Sequence, residues 1–448
     1  MNFRKNSEGE RIPASQPFQS GDSETLQQRR DSFEELKTQL HQKLVERLNL
    51  AALANLDQAL LRAQIREITE ILVAEENIFL SQENKERLIN EIQNETLGLG
   101  PIERYTHDQD ISDILVNTHG QVYIEKNGKL MLTETKFKSD SHVMLIIDRI
   151  LSKVGRRVDE SSPMADARLP DGSRVNAVIP PIAIDGPMLS IRKFRTDVLS
   201  MNDLLKNNSI SMPMLQFLQG AVKSRLNIII SGGTGAGKTT LLNILSGYIP
   251  TEERIITIED SAELKLQQPH VIRLETRPAN IEGRGTVEQR DLVRNALRMR
   301  PNRIIIGEVR GAEIYDMLQA MNTGHDGSLT TVHANSSRDV LLRLETLMLL
   351  AGIEIREKAI RQLISSAIDI VIQINRFSDG SRKISSISEI VGMEHDTITM
   401  QEIFKFDRTG VGEEGEVIGQ YRATGIRPRS LDRILSSGVK LQTDVFNL

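Results

Sequence analysis

The stretch Gly232-Gly233-Thr234-Gly235-Ala236-Gly237-Lys238-Thr239 limits what this chain can fold into more than any other. It reads G-x-x-x-x-G-K-[ST], the phosphate-binding P-loop. Ile228, Ile229 and Ile230 precede it, and Thr240-Leu241-Leu242-Asn243-Ile244-Leu245 follows with helical spacing. The motif therefore falls at a strand–loop–helix junction, the setting in which it binds phosphate. The glycines let backbone N–H groups turn inward around phosphates, and the following helix points its positive end at them. Lys238 is expected to reach the β- and γ-phosphates, and the Thr239 hydroxyl to ligate Mg²⁺. Gly232 through Thr240 are thus read as the binding loop for a nucleoside triphosphate and its Mg²⁺.

The whole chain sets further bounds. At 448 residues it is too long for one core and implies two or three domains. A net charge of −5 argues against broad electrostatic binding of nucleic acid. The absence of cysteine excludes disulfides, thiolate metal sites and thiol nucleophiles, and fits a reducing compartment. No run of 18 apolar residues occurs, so no transmembrane segment is expected. Met1-Asn2-Phe3-Arg4-Lys5 leads into polar residues with no apolar h-region of a secretory signal. The expected location is cytoplasmic, with membrane contact only through partners.

In chain order, residues 1–30 are polar and read as a disordered arm. Residues 31–100 carry three amphipathic helices and are read as a small helical bundle. Phe33, Leu36, Leu40, Leu44 and Leu48 mark the first helix, with Ser32 and Glu35 as a capping box. Leu60, Leu61, Ile65, Ile68 and Leu72 mark the second, and Leu88, Ile89 and Ile92 the third. Residues 101–195 shift to a strand period with one helix and read as an α+β domain. Its strands are expected at 113–117, 121–125, 130–137, 174–179 and 189–194. The basic residues Arg168, Arg174, Arg192 and Lys193 cluster around them. Residues 196–212 read as a linker, and 213–448 as an α/β P-loop domain. Strands are expected there at 254–259, 303–307, 327–333 and 369–374, largely parallel and buried on both faces. Asp379-Gly380 marks a hairpin that adds antiparallel strands, and residues 408–420 read as a glycine-rich acidic loop.

A P-loop needs partners for Mg²⁺ and for the attacking water. Ile255 to Ile258 runs into Glu259-Asp260, and Ile304 to Gly307 runs into Glu308. Ligands of parallel sheets bind at the carboxyl ends of strands, so both glutamates are candidates to hold metal-bound water or orient the nucleophile. The second site lacks the aspartate of an ordinary Walker B strand. His333, after an apolar strand, is a candidate γ-phosphate sensor. Arg294 and Arg298 lie four apart, on one face of an expected helix.

Four of these segments resemble the Walker A, Asp, Walker B and His boxes of the type II/IV secretion-system ATPases: the loop itself, Ile258-Glu259-Asp260, Ile306-Gly307-Glu308-Val309-Arg310-Gly311 and Thr331-Val332-His333-Ala334-Asn335. Within them the chain is most similar to the CpaF family, the assembly motors of Flp/Tad pili. The segments at 155–160, 166–174, 190–194, 292–301 and 320–327 carry that closer likeness. The chain departs from the family at Asn302, usually Asp, and at Ser336-Ser337, where a proline is common. The resemblance implies a homohexameric ring with a RecA-like domain, an N-terminal domain on a flexible linker, ATP and Mg²⁺ as cofactors, and membrane-platform partners. It also implies that arginines of the N-terminal domain close over the phosphates, with Arg192 first, then Arg174 and Arg168. Glu259 or Glu308 would activate water. The function so implied is ATP hydrolysis that drives pilus assembly. Alternatives are the motor of a type II or type IV secretion channel, a nucleotide-gated scaffold without turnover, and a helicase, which the acidic charge disfavours.

Overall fold

The computed structural model describes residues 21–47, 58–76, 78, 80–126, 128–194, 199–279, 284–413, 415–441 and 443–446. They fall into two compact units, Met1–Lys193 and Phe194–Leu448. Residues 1–20 of the polar arm lie outside the described set.

The first unit opens with α1 (Gly21–Arg47), α2 (Gln58–Glu75) and α3 (Gln82–Leu97). Their apolar stripes meet in a core of Leu40, Leu44, Ile65, Leu72, Leu88 and Ile92. α1 starts at Gly21, so Ser32 lies within the helix and not at its N-terminus. The Glu, Gln and Arg of residues 22–30 are good helix formers, which extends the helix into the polar arm. Ser81 does cap α3, accepting from the Asn84 N–H at 3.3 Å.

After the short α4 (Glu103–Thr106) comes a six-stranded antiparallel sheet. Its strands are β1 (Ile111–Thr118), β2 (Gln121–Lys126), β3 (Lys129–Leu132), β4 (Met164–Arg168), β5 (Arg174–Val178) and β6 (Met188–Arg192), in the order β3-β2-β1-β6-β5-β4. α5 (Asp140–Lys153) lays Val143, Ile146, Ile147, Ile150 and Leu151 into the core on one face. On the opposite face one cross-strand row runs from exposed Asp166, Asn176 and Ser190 to Leu115, Tyr123 and Leu132. β3 is shorter than the sequence predicts, because Phe137 leaves the strand and enters the core.

The second unit is one nine-stranded sheet in the order β15-β14-β13-β12-β7-β11-β10-β8-β9. The segment read as a linker holds a helix, α6 (Met201–Lys206), whose Met201 and Leu204 join the core; α7 (Met212–Lys223) follows. β7 (Ile228–Ser231), β8 (Ile255–Glu259), β9 (Val271–Glu275), β10 (Arg303–Ile306), β11 (Leu329–Val332) and β12 (Ile370–Arg376) pair in parallel. α8 (Lys238–Ser246), α9 (Gln289–Ala296), α10 (Glu313–Asn322), α11 (Ser337–Leu350) and α12 (Glu357–Ala367) connect them. The isoleucine runs of β7, β8 and β10 are buried throughout, as a doubly covered sheet requires. β13 (Arg382–Glu394), β14 (Thr397–Val411) and β15 (Val417–Ala423) extend the sheet antiparallel, and α13 (Leu431–Ser436) packs near the end of the chain.

Residues 408–420 are therefore a β-hairpin and not a loop. Gly412, Glu413, Gly415 and Glu416 fall in the turn, where the Gly412 N–H donates to Glu416 O at 2.8 Å, while Val411 pairs with Val417 and Gly410 and Gly419 lie in the strands. Among the described residues no helix is long and apolar enough to cross a membrane. Neither Asn302 nor Ser336 lies in the nucleotide loop. Asn302 accepts the Arg254 N–H at 2.9 Å, and Ser336 caps α11.

Candidate functional site

β7 lies between β11 and β12, buried on both faces, and ends at Ser231. The P-loop turns back from there into α8. At Gly232 a Cβ would come closer to the Ile374 carbonyl oxygen than the 3.0 Å that real Cβ atoms keep. Gly235 (φ 70°) and Gly237 (φ 99°) adopt the left-handed conformation that glycine tolerates at little cost. Ala236 is buried and pins the turn, Gly233 is half-buried, and Thr234 is exposed. α8 begins at Lys238, so the N–H groups of Lys238, Thr239 and Thr240 are among the unpaired donors of its first turn. Lys238 Nζ folds into the loop and donates to Gly232 O at 3.0 Å and Gly233 O at 3.1 Å. Burial lowers its pKa, and the charge of Glu308 opposes that shift. A ring of donors with one lysine fits a polyphosphate, and the Thr239 hydroxyl and the Glu308 carboxylate are hard-oxygen donors of the kind Mg²⁺ takes.

Glu259 ends β8 and is 3% exposed. Its Oε2 accepts the N–H of Glu263 at 2.7 Å and of Leu264 at 3.0 Å, while Oε1 is buried with no hydrogen-bond partner. Burial raises its pKa, and the two backbone donors only partly offset that. Gly307 leaves room for it: a Cβ there would lie 3.0 Å from Glu259 Cγ. Glu308 follows on the adjacent strand, since Ile306 pairs with Ile258. It accepts two donors from Arg310, Nε at 2.9 Å and Nη2, and Arg310 Nη1 stands 3.6 Å from Asp260 Oδ2. Arg310 thus links the acids at the ends of both strands. His333 directly follows Val332, the register partner of Ser231, so it stands exposed beside the start of the loop. The fold of this unit brings the loop, Glu259, Glu308 and His333 to the carboxyl end of one sheet.

The arginines belong to the first unit, where they form a row. Arg168 pairs in register with Arg174, Arg174 with Arg192, and Arg192 with Asp113. Like charges directly opposite on a sheet repel, so the pairing of these arginines with one another is not a source of cross-strand attraction. Arg192 Nε donates to Asp113 Oδ1 at 3.1 Å, with the arginine 62% and the aspartate 17% exposed. Arg294 is ion-paired to Asp316 at 3.0 Å, beside Arg290 at 2.9 Å. Arg298 falls in the 3-10 turn Leu297–Met299, beyond the end of α9, so the two do not share the regular helix face their spacing suggests.

Three arginines at the nucleotide loop escaped the sequence reading. Arg310 lies two residues past Glu308. Arg376 and Arg382 face each other across the β12–β13 hairpin and abut the P-loop glycines. Their sequence signal is their place on either side of the Asp379-Gly380 turn.

A parallel sheet with a P-loop after one strand and carboxylates after two others defines a RecA-like P-loop domain. Residues 95–412 match the family described as Type II/IV secretion system protein, and residues 33–97 match the Type II secretion system protein E N-terminal domain. The chain belongs to the type II/IV secretion system protein family. It is 37% identical over 303 residues to a putative conjugal transfer protein of Mycobacterium tuberculosis, covering 66% of this chain and 86% of that one. It is 35% identical over 296 residues to the type IV secretion system protein PtlH of Bordetella pertussis, covering 60% and 86%. Among solved structures it is similar to the VirB11 ATPase of the Brucella suis type IV secretion system in complex with sulphate, at 28% identity and TM-score 0.36 over 64% of this chain and 94% of that one.

Proposed function

We propose that the chain is an ATP-hydrolysing motor, working as a homohexamer, that drives assembly of Flp/Tad type IV pili through an inner-membrane platform. The observation that carries the hydrolytic part is the convergence of the P-loop, Glu308 and Glu259 at one sheet end. The loop amides and Lys238 would hold the β- and γ-phosphates, and Thr239 and Glu308 would hold Mg²⁺. Mg²⁺, when bound, supplies charge that offsets what develops on the phosphates. Glu259 takes the proton of the attacking water: its Oε1 is buried without a partner, and its raised pKa moves it toward the working range of a general base. Glu308 orients that water, and His333 senses the γ-phosphate. Arg192, Arg174 and Arg168 close on the phosphates when the ring brings their sheet over the loop. Arg192 exchanges Asp113 for phosphate in doing so.

The pilus assignment rests on the CpaF-like segments, among them 166–174 and 190–194. The names of the relatives favour a second reading, the motor of a type IV secretion or conjugation channel. Both place the chain in the cytoplasm against a membrane platform and away from nucleic acid. Deletion of the gene, with complementation by the wild type and by Glu308→Gln, separates them. The pilus reading predicts loss of surface Flp fibres, restored only by the wild type. Intact fibres with lost secretion or DNA transfer would overturn it in favour of the channel. A gene neighbourhood holding prepilin genes would point the same way as fibre loss.

A further inference from the structure

The β12–β13 hairpin rises alongside the nucleotide loop. β12 runs parallel to β7 with Gln373 opposite Ser231, so residues 374–376 continue past the point where β7 ends. There the Ile374 carbonyl lies against Gly232. Arg376 and Arg382, the last register pair of the hairpin, are both exposed. Arg382 Nε donates to the Gly235 carbonyl at 3.0 Å, and its Cδ would lie 3.3 Å from a Cβ at Gly237. Arg376 Nη1 would lie 3.4 Å from a Cβ at Gly235. The hairpin is held firmly: Phe377 N–H donates to Ser381 O at 2.8 Å, and Asp379 Oδ2 accepts the Val417 N–H of β15 at 2.7 Å.

Two arginines directly opposite each other repel, as in the row on the other unit. Here both stand at the two left-handed glycines whose backbone sets the loop. For the loop amides to face a phosphate, the carbonyls between them must turn outward and find donors. Arg382 supplies such a donor, and a charged one.

We propose that Arg382 is a positioning residue of the nucleotide site, which holds the Gly235 peptide in its phosphate-binding orientation, and that Arg376 beside it adds positive field for the nucleotide's phosphates. The hairpin thereby ties nucleotide occupancy to the antiparallel extension β13–β15. This rests on the P-loop reading above and names a further part of the same site.

The test is titration of the full chain with fluorescently labelled ADP, for the wild type, Arg382→Ala, Arg382→Lys and Lys238→Ala, with melting temperature measured on each. Arg382→Ala weakens ADP binding about tenfold, the loss expected for one charge-assisted hydrogen bond. Arg382→Lys, which keeps the charge and length, regains part of that affinity. In turnover, the KM for ATP rises by more than kcat falls. Binding by Arg382→Ala within twofold of wild type would overturn the inference. If Arg382→Ala melts lower, Arg382→Lys decides: affinity no better than the alanine variant, at wild-type melting temperature, would also overturn it. Should Lys238→Ala bind ADP as the wild type does, the P-loop reading itself fails, whatever Arg382 does.

Discussion

Gly232→Ala tests how tightly the strand beside the nucleotide loop confines it. The new Cβ would lie well under 3.0 Å from the Ile374 carbonyl oxygen, 3.1 Å from Ile374 Cγ2 and 3.2 Å from Ala236 Cβ. Carbon and oxygen rest at about 3.3 Å or more, so loop and strand must separate by roughly 1 Å. The obstacle is backbone in a paired strand and cannot rotate away. Overpacking of this kind costs about 1–3 kcal/mol. For a unit of this size that lowers Tm by roughly 2–12 °C. Gly233→Ala is the matched control, because a Cβ there meets nothing within 4 Å and its φ is outside the left-handed range. A surface change of that sort stays within about 0.5 kcal/mol. Thermal unfolding of both variants, with ADP binding measured alongside, reads the difference. Gly232→Ala should lose stability and affinity together. Equal melting temperatures for the two variants would refute the close approach of β12 to the loop.

Two further outcomes follow from the acids and the arginine row. Glu259 has a folded-state pKa raised by burial, so its charged form costs stability. That cost is absent below the unfolded-state pKa, about 4.3, and grows as pH rises through the higher folded value. Glu259→Gln should therefore melt above wild type at pH 8, with the gain fading toward pH 4, while hydrolysis falls; a pH-independent difference in Tm would contradict the burial argument. Arg192→Ala should keep nucleotide binding and lose at least about tenfold in turnover, about 1.4 kcal/mol. Its Tm should barely move, since an ion pair with so exposed an arginine is worth about 0–1 kcal/mol. Full turnover in folded protein would remove Arg192 from the site.

Local pattern made the centre of this molecule legible. The P-loop is defined by consecutive residues, and the short β-branched isoleucine runs before Glu259 and Glu308 favour doubly buried strands, so loop, acids and strand ends could be placed from sequence. The antiparallel hairpin at Asp379-Gly380 was visible for the same reason. What was not legible depends on partners distant in sequence. Arg382 reaches Gly235 only because β12 pairs with β7, a contact that no local period encodes. β9 escaped notice because Val271–Glu275 is a half-exposed edge strand without a continuous apolar run. Residues 408–420 misled because glycine and acid mark a turn but do not say how far strands run on either side. Arg294 and Arg298 were grouped by helical spacing, which the 3-10 turn after Ala296 breaks.

ATP turnover and nucleotide retention by the purified chain, beside Lys238→Ala and Glu308→Gln, address the central question most directly. A hydrolysing motor predicts turnover in the wild type. Lys238→Ala, altered in a loop and still folded, should lose nearly all of it together with nucleotide affinity. Glu308→Gln, which keeps size but not charge, should bind ATP and retain it unhydrolysed. A wild-type chain that binds ATP without turnover would contradict the motor and leave a nucleotide-gated scaffold in its place. Undiminished turnover in Lys238→Ala would show that the activity does not arise at this loop.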